Sequence, residues 1–358
     1  MREDPLAAIV LAAGEGSRMR SSRPKPLHHL CGRPMLQHIV DALAGLQPSA
    51  VVVVVGHRGD WVTKVMIDRA PSGIDLTFVD QPNQLGTGDA AGVGLTGLDD
   101  GEADVLILPG DAPLLRTETL ATLVDVHRRS GAAATVLTAV LPDPTGYGRI
   151  IRNREGSVVR IVEDRDATAE ERAVAEVNTS IYCFKRSLLT PALRRLQPSN
   201  VQGEYYLTDA IEVLAGAGHL VGSVIVDDAA EVAGVNDRGQ LAEAERAMRR
   251  RINRQWLARG VTMWDPEDTY IDADVELDPD VVLMPGVILR GATTVASGAE
   301  LGPDVLLTDT VIGRGATVRS TTAEMAVIGD DATVGPYVSL PPGYEVPAGA
   351  TVTAASFR

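Results

Sequence analysis

From Ile271 onward, branched apolar residues return at every sixth position: Ile271, Leu277, Leu283, Leu289, Val295 and Leu301. Val275, Val281, Val287, Ala299 and Val305 follow most of them by four residues. A helix repeats at 3.6 residues and a strand at 2, so neither produces this period. The spacing is that of hexapeptide repeats in a β-helix, where each hexad forms one flat side and its apolar residue points into the core. The period slips near Thr310 and again near Thr322, then resumes at Ile328, Val334, Leu340, Val346 and Val352. A few coils interrupted by at least one loop are therefore predicted over this region.

The first two-thirds of the chain has a different rhythm, with strand and helix patterns alternating. Leu6 to Val10, Val51 to Val55 and Val105 to Leu108 are continuous apolar runs, as expected of strands covered on both faces. Helical stretches lie between them, one opened by Pro34 and one following Gly86-Thr87-Gly88. The pattern predicts an α/β domain with a mostly parallel sheet. Ligands of such sheets bind beyond the carboxyl ends of the strands, where loops 11–27, 81–88 and 109–113 fall. Asp237 to Arg259 reads as one long charged helix joining the two parts. The expected division is an α/β domain over 1–236, a linker helix over 237–264 and a hexad domain over 265–358.

A chain of 358 residues can build two cores. Its net charge of −15 argues against broad attraction to nucleic acid, which needs a basic face. The only two cysteines, Cys31 and Cys183, are far apart in sequence, so a reduced cytosolic setting is expected rather than a disulfide framework. No apolar run approaches the length of a membrane span, and acidic Glu3 and Asp4 argue against a signal peptide.

The first apolar run opens into Leu11-Ala-Ala-Gly-Glu-Gly-Ser-Arg-Met-Arg-Ser-Ser-Arg-Pro-Lys-Pro-Leu27. Gly14 and Gly16 allow backbone N–H groups to turn toward an anion, and Arg18 and Lys25 add two positive charges. A nucleoside triphosphate is the expected target. The dinucleotide fingerprint fails because Met19 stands at its third glycine, and the P-loop fails for want of Gly-Lys-Ser/Thr. An Arg close behind the glycines with a later Pro-Lys pair resembles the signature of sugar-1-phosphate nucleotidylyltransferases. The version Pro24-Lys-Pro-Leu-His28, followed by Gly32-Arg-Pro-Met35, resembles one branch. That branch is the bacterial bifunctional N-acetylglucosamine-1-phosphate uridylyltransferase/glucosamine-1-phosphate acetyltransferase family. The resemblance extends through the hexad region, and implies a Rossmann-like nucleotidyltransferase domain followed by a short left-handed parallel β-helix.

The resemblance also implies roles for individual residues. Leu11, Ala12, Ala13 and Gly14 would hold the nucleoside, and Arg18 and Lys25 would stabilise phosphate charge as the catalytic pair. Gln81, Gln84, Gly86 and Thr87 match a Gln-x-x-Gln-Leu-Gly-Thr-Gly segment that reads the uracil edge and closes near the sugar. Amide side chains suit the paired donor and acceptor of uracil. Gly148, Glu163 and Asn178 correspond to contacts with the hexose hydroxyls and amide. Ser180 departs from the family, which usually has Gly after Asn-Thr, and its hydroxymethyl would narrow the sugar pocket.

Asp111, in Gly-Asp-Ala-Pro at a strand's carboxyl end, reads either as a cap for a helix starting near Thr117 or, with Asn236, as a Mg²⁺ ligand. His28, His29, His38 and His57 lack acidic or thiol partners at ligand spacing and read as structural.

The implied reaction is uridylyl transfer from UTP to N-acetylglucosamine 1-phosphate, with release of pyrophosphate. Two alternatives stand beside it. One is transfer to another hexose or cyclitol phosphate, which Ser180 motivates, and the other is a non-catalytic nucleotide-sugar sensor or assembly subunit. The family's acetyltransfer reaction is expected to be missing. The sequence stops at Arg358, has no histidine after His219, and shows Leu340-Pro-Pro-Gly343 where the family has Leu-Arg-Pro-Gly. The hexad stack would then serve assembly, most simply of a homotrimer.

Overall fold

In a computed structural model, residues 5–99, 101 and 104–357 are described. The sequence readings at Glu3, Asp4 and Arg358 lie outside them. The chain forms two compact units, one running to His28 and from Pro34 to Gln240, the other comprising His29–Arg33 and Leu241–Arg358.

The first unit is built on a nine-stranded sheet. Its strands are β1 (Leu6–Leu11), β2 (Ala50–Val55), β3 (Leu76–Asp80), β4 (Asp104–Pro109), β5 (Ala134–Val140), β6 (Arg149–Arg152), β7 (Val158–Val162), β8 (Glu176–Lys185) and β9 (Val221–Ile225). The main order is β9-β5-β8-β4-β1-β2-β3, with the β6–β7 hairpin attached to β8. β1 pairs in parallel with both β2 and β4, while β8 runs antiparallel between β4 and β5.

Helices cover both faces, which explains why the strand sequences do not alternate. Val51, Val53 and Val55 pack on one face with Leu36, Ile39 and Leu43 of α1 (Met35–Ala44) and Leu120 and Leu123 of α4 (Thr117–Ser130). Val52 and Val54 pack on the other with Ala90 and Ala91 of α3 (Thr87–Leu95), Leu189 of α5 (Arg186–Leu193) and Ile211 of α6 (Asp209–Gly216). Helix α2 (Gly59–Ile67) contributes Val62 and Met66 to the first face. Pro34 stands at the N-cap of α1, one position before the first turn that sequence suggests. Met19 and His127 are fully covered in this unit.

Helix α7 (Arg238–Ala258) begins at the end of the first unit. The second unit is a left-handed parallel β-helix of three sheets, with six, five and five strands. The predicted hexad residues form inward columns, one per sheet. Ile271, Leu289 and Leu307 are successive ladder partners, as are Leu277, Val295 and Ile312, and Leu283, Leu301 and Val318. All nine are buried.

The expected loop interruption is wrong. The strands stay in ladder from coil to coil through Thr310 and Thr322, and the slips are one-residue changes at corners. Three residues join Arg290 to Thr294, but two join Thr308 to Val311, Val318 to Thr321 and Glu324 to Val327. Each short corner contains a positive-φ residue, Asp309, Ser320 or Met325, which turns the chain in less length. Thr310 and Thr321 fill buried corner positions without cost in unpaired hydroxyls, because they donate to the Thr308 and Arg319 carbonyls at 2.9 and 2.7 Å.

Among the described residues no helix is long and apolar enough to cross a membrane. Both cysteines are free and buried.

Candidate active site

The loops leaving β1, β3 and β4 meet over the sheet and, with the start of β8 and the segment after α5, line one cavity of about 680 Å³. It lies wholly within the first unit. Its position follows from topology, since parallel strands present all their carboxyl ends on one edge.

The glycine loop forms one wall. Gly14 faces the cavity, and no atom lies within 4 Å of the place a Cβ would take. Gly16 has φ +62°, and a Cβ there would sit 2.7 Å from Cβ of Lys25. One glycine thus leaves room for a ligand, while the other lets Lys25 close on the loop. Gly110 has a related duty, because a Cβ on it would come within 2.9 Å of Ala12.

Four predicted residues from distant segments converge here. The Lys25 ammonium pairs with Asp111 and donates to Asn236 Oδ1 at 2.8 Å, and Arg18 donates to the same oxygen at 2.9 Å. The Val235 N–H donates to the Asp111 carbonyl at 2.8 Å, which fixes the two acceptor side chains side by side. Asp111 does not cap α4, whose N-cap position is Arg116. No group of three or more His, Cys, Asp or Glu residues that could hold a metal occurs among the described residues. The two oxygens of Asp111 and Asn236 nevertheless meet at one cationic atom, a donor set and arrangement that suit a hard ion with few protein ligands.

The loop before α3 is pinned by its amides. Gln84 donates to the Ala13 carbonyl at 2.7 Å, and Gln81 donates to Asp89 at 2.7 Å and to the Gly86 carbonyl at 3.3 Å. Gly86 has φ +114° and passes so close to Tyr205 that a Cβ would meet its carbonyl at 2.5 Å. Thr87 Oγ1 accepts from the Leu207 N–H at 3.0 Å.

Glu163 and Asn178 line the opposite end. Burial pushes the Glu163 carboxyl above the usual carboxylate range, opposed in part by the Thr208 hydroxyl donating at 3.1 Å. Buried Asn178 donates from Nδ2 to the Tyr182 hydroxyl at 2.8 Å, and Asn178 Oδ1 accepts from the Ser180 N–H at 3.2 Å. Ser180 has φ +61°, at a register shift between β8 and β5. A serine thus stands where the backbone itself favours glycine.

Gly148 is the exception among the predicted site residues, since it does not line the cavity. It lies behind Glu163 and Asn178, where a Cβ would come 3.4 to 3.5 Å from both, and its carbonyl accepts from the Asn178 N–H at 2.8 Å. Sequence reasoning missed Tyr182, Tyr206 and Thr208, which do line it. The polar and aromatic run Gln202–Asp209 was the available signal for the last two. Of the four histidines read as structural, His28 and His38 are buried, His29 and His57 exposed.

The sequence profile of the MobA-like NTP transferase domain matches residues 8–202. The chain is 45% identical over 345 residues to the bifunctional protein GlmU of Brevibacillus brevis, covering 96% of this chain and 74% of that protein. It is 47% identical over 342 residues to the GlmU of Mycolicibacterium vanbaalenii, covering 95% and 70%. For the GlmU of Cutibacterium acnes the identity is 46% over 344 residues, covering 94% and 81%. With this cavity at the carboxyl edge of the sheet, a β-helix after it and likeness along nearly its whole length, the chain belongs to the GlmU family and is a sugar-1-phosphate nucleotidyltransferase.

Proposed function

We propose that the enzyme transfers uridylyl from UTP to N-acetylglucosamine 1-phosphate, giving UDP-N-acetylglucosamine and pyrophosphate in the cytoplasm. The observation that carries this reading is the meeting of Arg18, Lys25, Asp111 and Asn236 beside a glycine loop, with Glu163 and Asn178 at the other end of one cavity. The sugar phosphate is already ionised at neutral pH, so the protein need not supply a base. Its oxygen attacks the α-phosphorus, the bond from that phosphorus to the bridging oxygen breaks, and pyrophosphate leaves with the electron pair. Position and charge neutralisation carry the rate.

Leu11, Ala12, Ala13 and Gly14 seat the nucleoside against the loop, and Gln81 and Gln84 offer their remaining amide valences to the uracil edge. Arg18 and Lys25 exchange their present acceptors for phosphate oxygens. Magnesium would be held by Asp111 and Asn236, with phosphate and water completing its shell, and supplies further charge neutralisation. Glu163 and Asn178 orient the sugar through its hydroxyls and amide, with Gly148 supporting both from behind.

A second reading changes the sugar. Ser180 places a hydroxymethyl on the cavity wall, which favours another hexose or a cyclitol phosphate as partner. In the second unit, acetyltransfer is absent in our reading. The corner at Leu340–Gly343 presents Pro341 and Pro342, which cannot grip a phosphate. Val311 and Val327 are ladder partners exposed on one side of the β-helix, and support a homotrimer.

A pyrophosphate-release screen of nucleoside triphosphates against sugar 1-phosphates tests the reaction. UTP with N-acetylglucosamine 1-phosphate is expected to be fastest, and Asp111→Ala and Asn236→Ala are expected to remove the metal-dependent rate. Activity that persists in excess chelator overturns the metal role. Strong preference for glucose 1-phosphate or a cyclitol phosphate promotes the second reading, which Ser180→Gly should then reverse by about 1–3 kcal/mol of selectivity.

A further inference from the structure

Tyr182 lies four positions after Asn178 in β8, and both buried side chains line the cavity. In a regular strand, residues at i and i+4 stand about 13 Å apart. Here the Tyr182 hydroxyl and Asn178 Nδ2 are 2.8 Å apart. An irregularity between them closes the gap: Asn178 pairs with Thr138 and Ile181 with Leu137, so β8 spends three residues where β5 spends one. Ser180, at φ +61°, lies within that bulge. Bulges of this kind re-aim side chains beside binding sites.

The network gives the Asn178 amide one orientation. A backbone N–H only donates, so the atom that meets the Ser180 N–H at 3.2 Å is Oδ1, and the atom that meets the phenol is Nδ2. A flipped amide would set its NH₂ against another donor. Burial and the Glu163 carboxyl push the phenol up, opposed by side-chain hydrogen bonds with Asn178 and Ser180, so it is neutral at physiological pH. Its oxygen thus engages one amide hydrogen of Asn178 and leaves the other unspent.

We propose that Tyr182 is a positioning residue that sets the sugar preference. By holding one hydrogen of the Asn178 amide, it presents the other to a carbonyl on the sugar phosphate, and so favours an acylamino sugar over one bearing only hydroxyls. A hydroxyl both donates and accepts, so it can meet an amide in either orientation. A carbonyl only accepts, and it gains most from a donor held in place. The inference rests on the reading of Asn178 as a contact to the sugar amide.

Tyr182→Phe removes one oxygen and keeps the ring beside Phe184, with 5.5 Å between centroids. In the full chain with UTP, the KM for N-acetylglucosamine 1-phosphate should rise about tenfold, the loss of one well-placed hydrogen bond. The kcat and the KM for UTP should stay within about twofold. Preference for that sugar over glucose 1-phosphate should fall by about tenfold. Simple loosening of the core would instead move both KM values together and leave the preference unchanged. Tyr182→Leu, which also lacks an acceptor, should repeat the shift and decides the point where Tyr182→Phe does not fold. Asn178→Ala completes a cycle: because Tyr182 acts through Asn178, Tyr182→Phe should add nothing to its effect. An unchanged sugar KM in Tyr182→Phe, or additive losses in the double variant, overturns the inference while the sugar contact stands. If Asn178→Ala itself leaves the sugar KM unchanged, the contact fails and the inference falls with it. If no nucleotide supports turnover, calorimetric titration with UDP-N-acetylglucosamine decides. Weaker binding in Tyr182→Phe supports the inference, and equal binding overturns it.

Discussion

The β-helix and the cavity solve opposite problems. In the β-helix a residue finds its partners one coil away: Thr310 bonds Thr293 across 17 positions and Arg314 bonds Asp330 across 16. In the cavity, Lys25 meets Asp111 across 86 positions and Arg18 meets Asn236 across 218. Repetition lets each coil be stabilised by its neighbours through apolar columns. The cavity gathers charges that no single segment could hold, at the edge of a sheet rigid enough to keep them in place. Stability and reactivity are therefore drawn from different residues, and substitutions should separate them.

The largest effect is expected at the cavity. Lys25→Ala and Arg18→Ala should each slow turnover by ~10²–10³, the usual loss for one preorganised charge donor, with little change in the denaturation midpoint. Near-wild-type rates at saturating substrates in both variants would dissolve the contrast from the catalytic side.

Leu289→Ala strikes the other region. Its side chain is fully buried between ladder partners Ile271 and Leu307, so the cavity left behind should cost about 2–5 kcal/mol in chemical denaturation. A loss below about 1 kcal/mol would mean that the hexad columns are not close-packed.

The smallest effect concerns pH. Burial, with help from Glu212 and Asp166, pushes the Asp209 carboxyl up to about 6. A carboxylate raised on folding binds its proton more tightly in the folded state. Its contribution is therefore fully present below the ordinary value near 3.8 and is lost as pH rises through about 6. Asp209→Asn should remove that dependence, melting closer to wild type at pH 4 and above it at pH 8. Parallel melting curves at both pH values would show that Asp209 is too well solvated to matter.

Periodicity made the two architectures legible: six-residue spacing for the β-helix, and unbroken apolar runs for a sheet covered on both faces. The same signal misread the slips near Thr310 and Thr322 as a loop, because threonine fills the buried corner positions 310 and 321 and a positive-φ residue shortens the corner by one position. Family likeness located the cavity residues, but not Tyr182, which lies four positions after Asn178 in a strand that otherwise reads as core.

By itself the sequence determined the element types, the inward columns and the residues able to carry phosphate chemistry, since these depend on spacing and side-chain type. Only the tertiary structure decided that Asp111 and Asn236 face one ammonium and that Gly148 stands behind the cavity instead of in it. The reason is physical. Parallel strands bring their carboxyl ends together whatever their order in the chain, so loops far apart in sequence become neighbours. Which of their side chains meet is set by backbone conformation and packing that spacing does not encode.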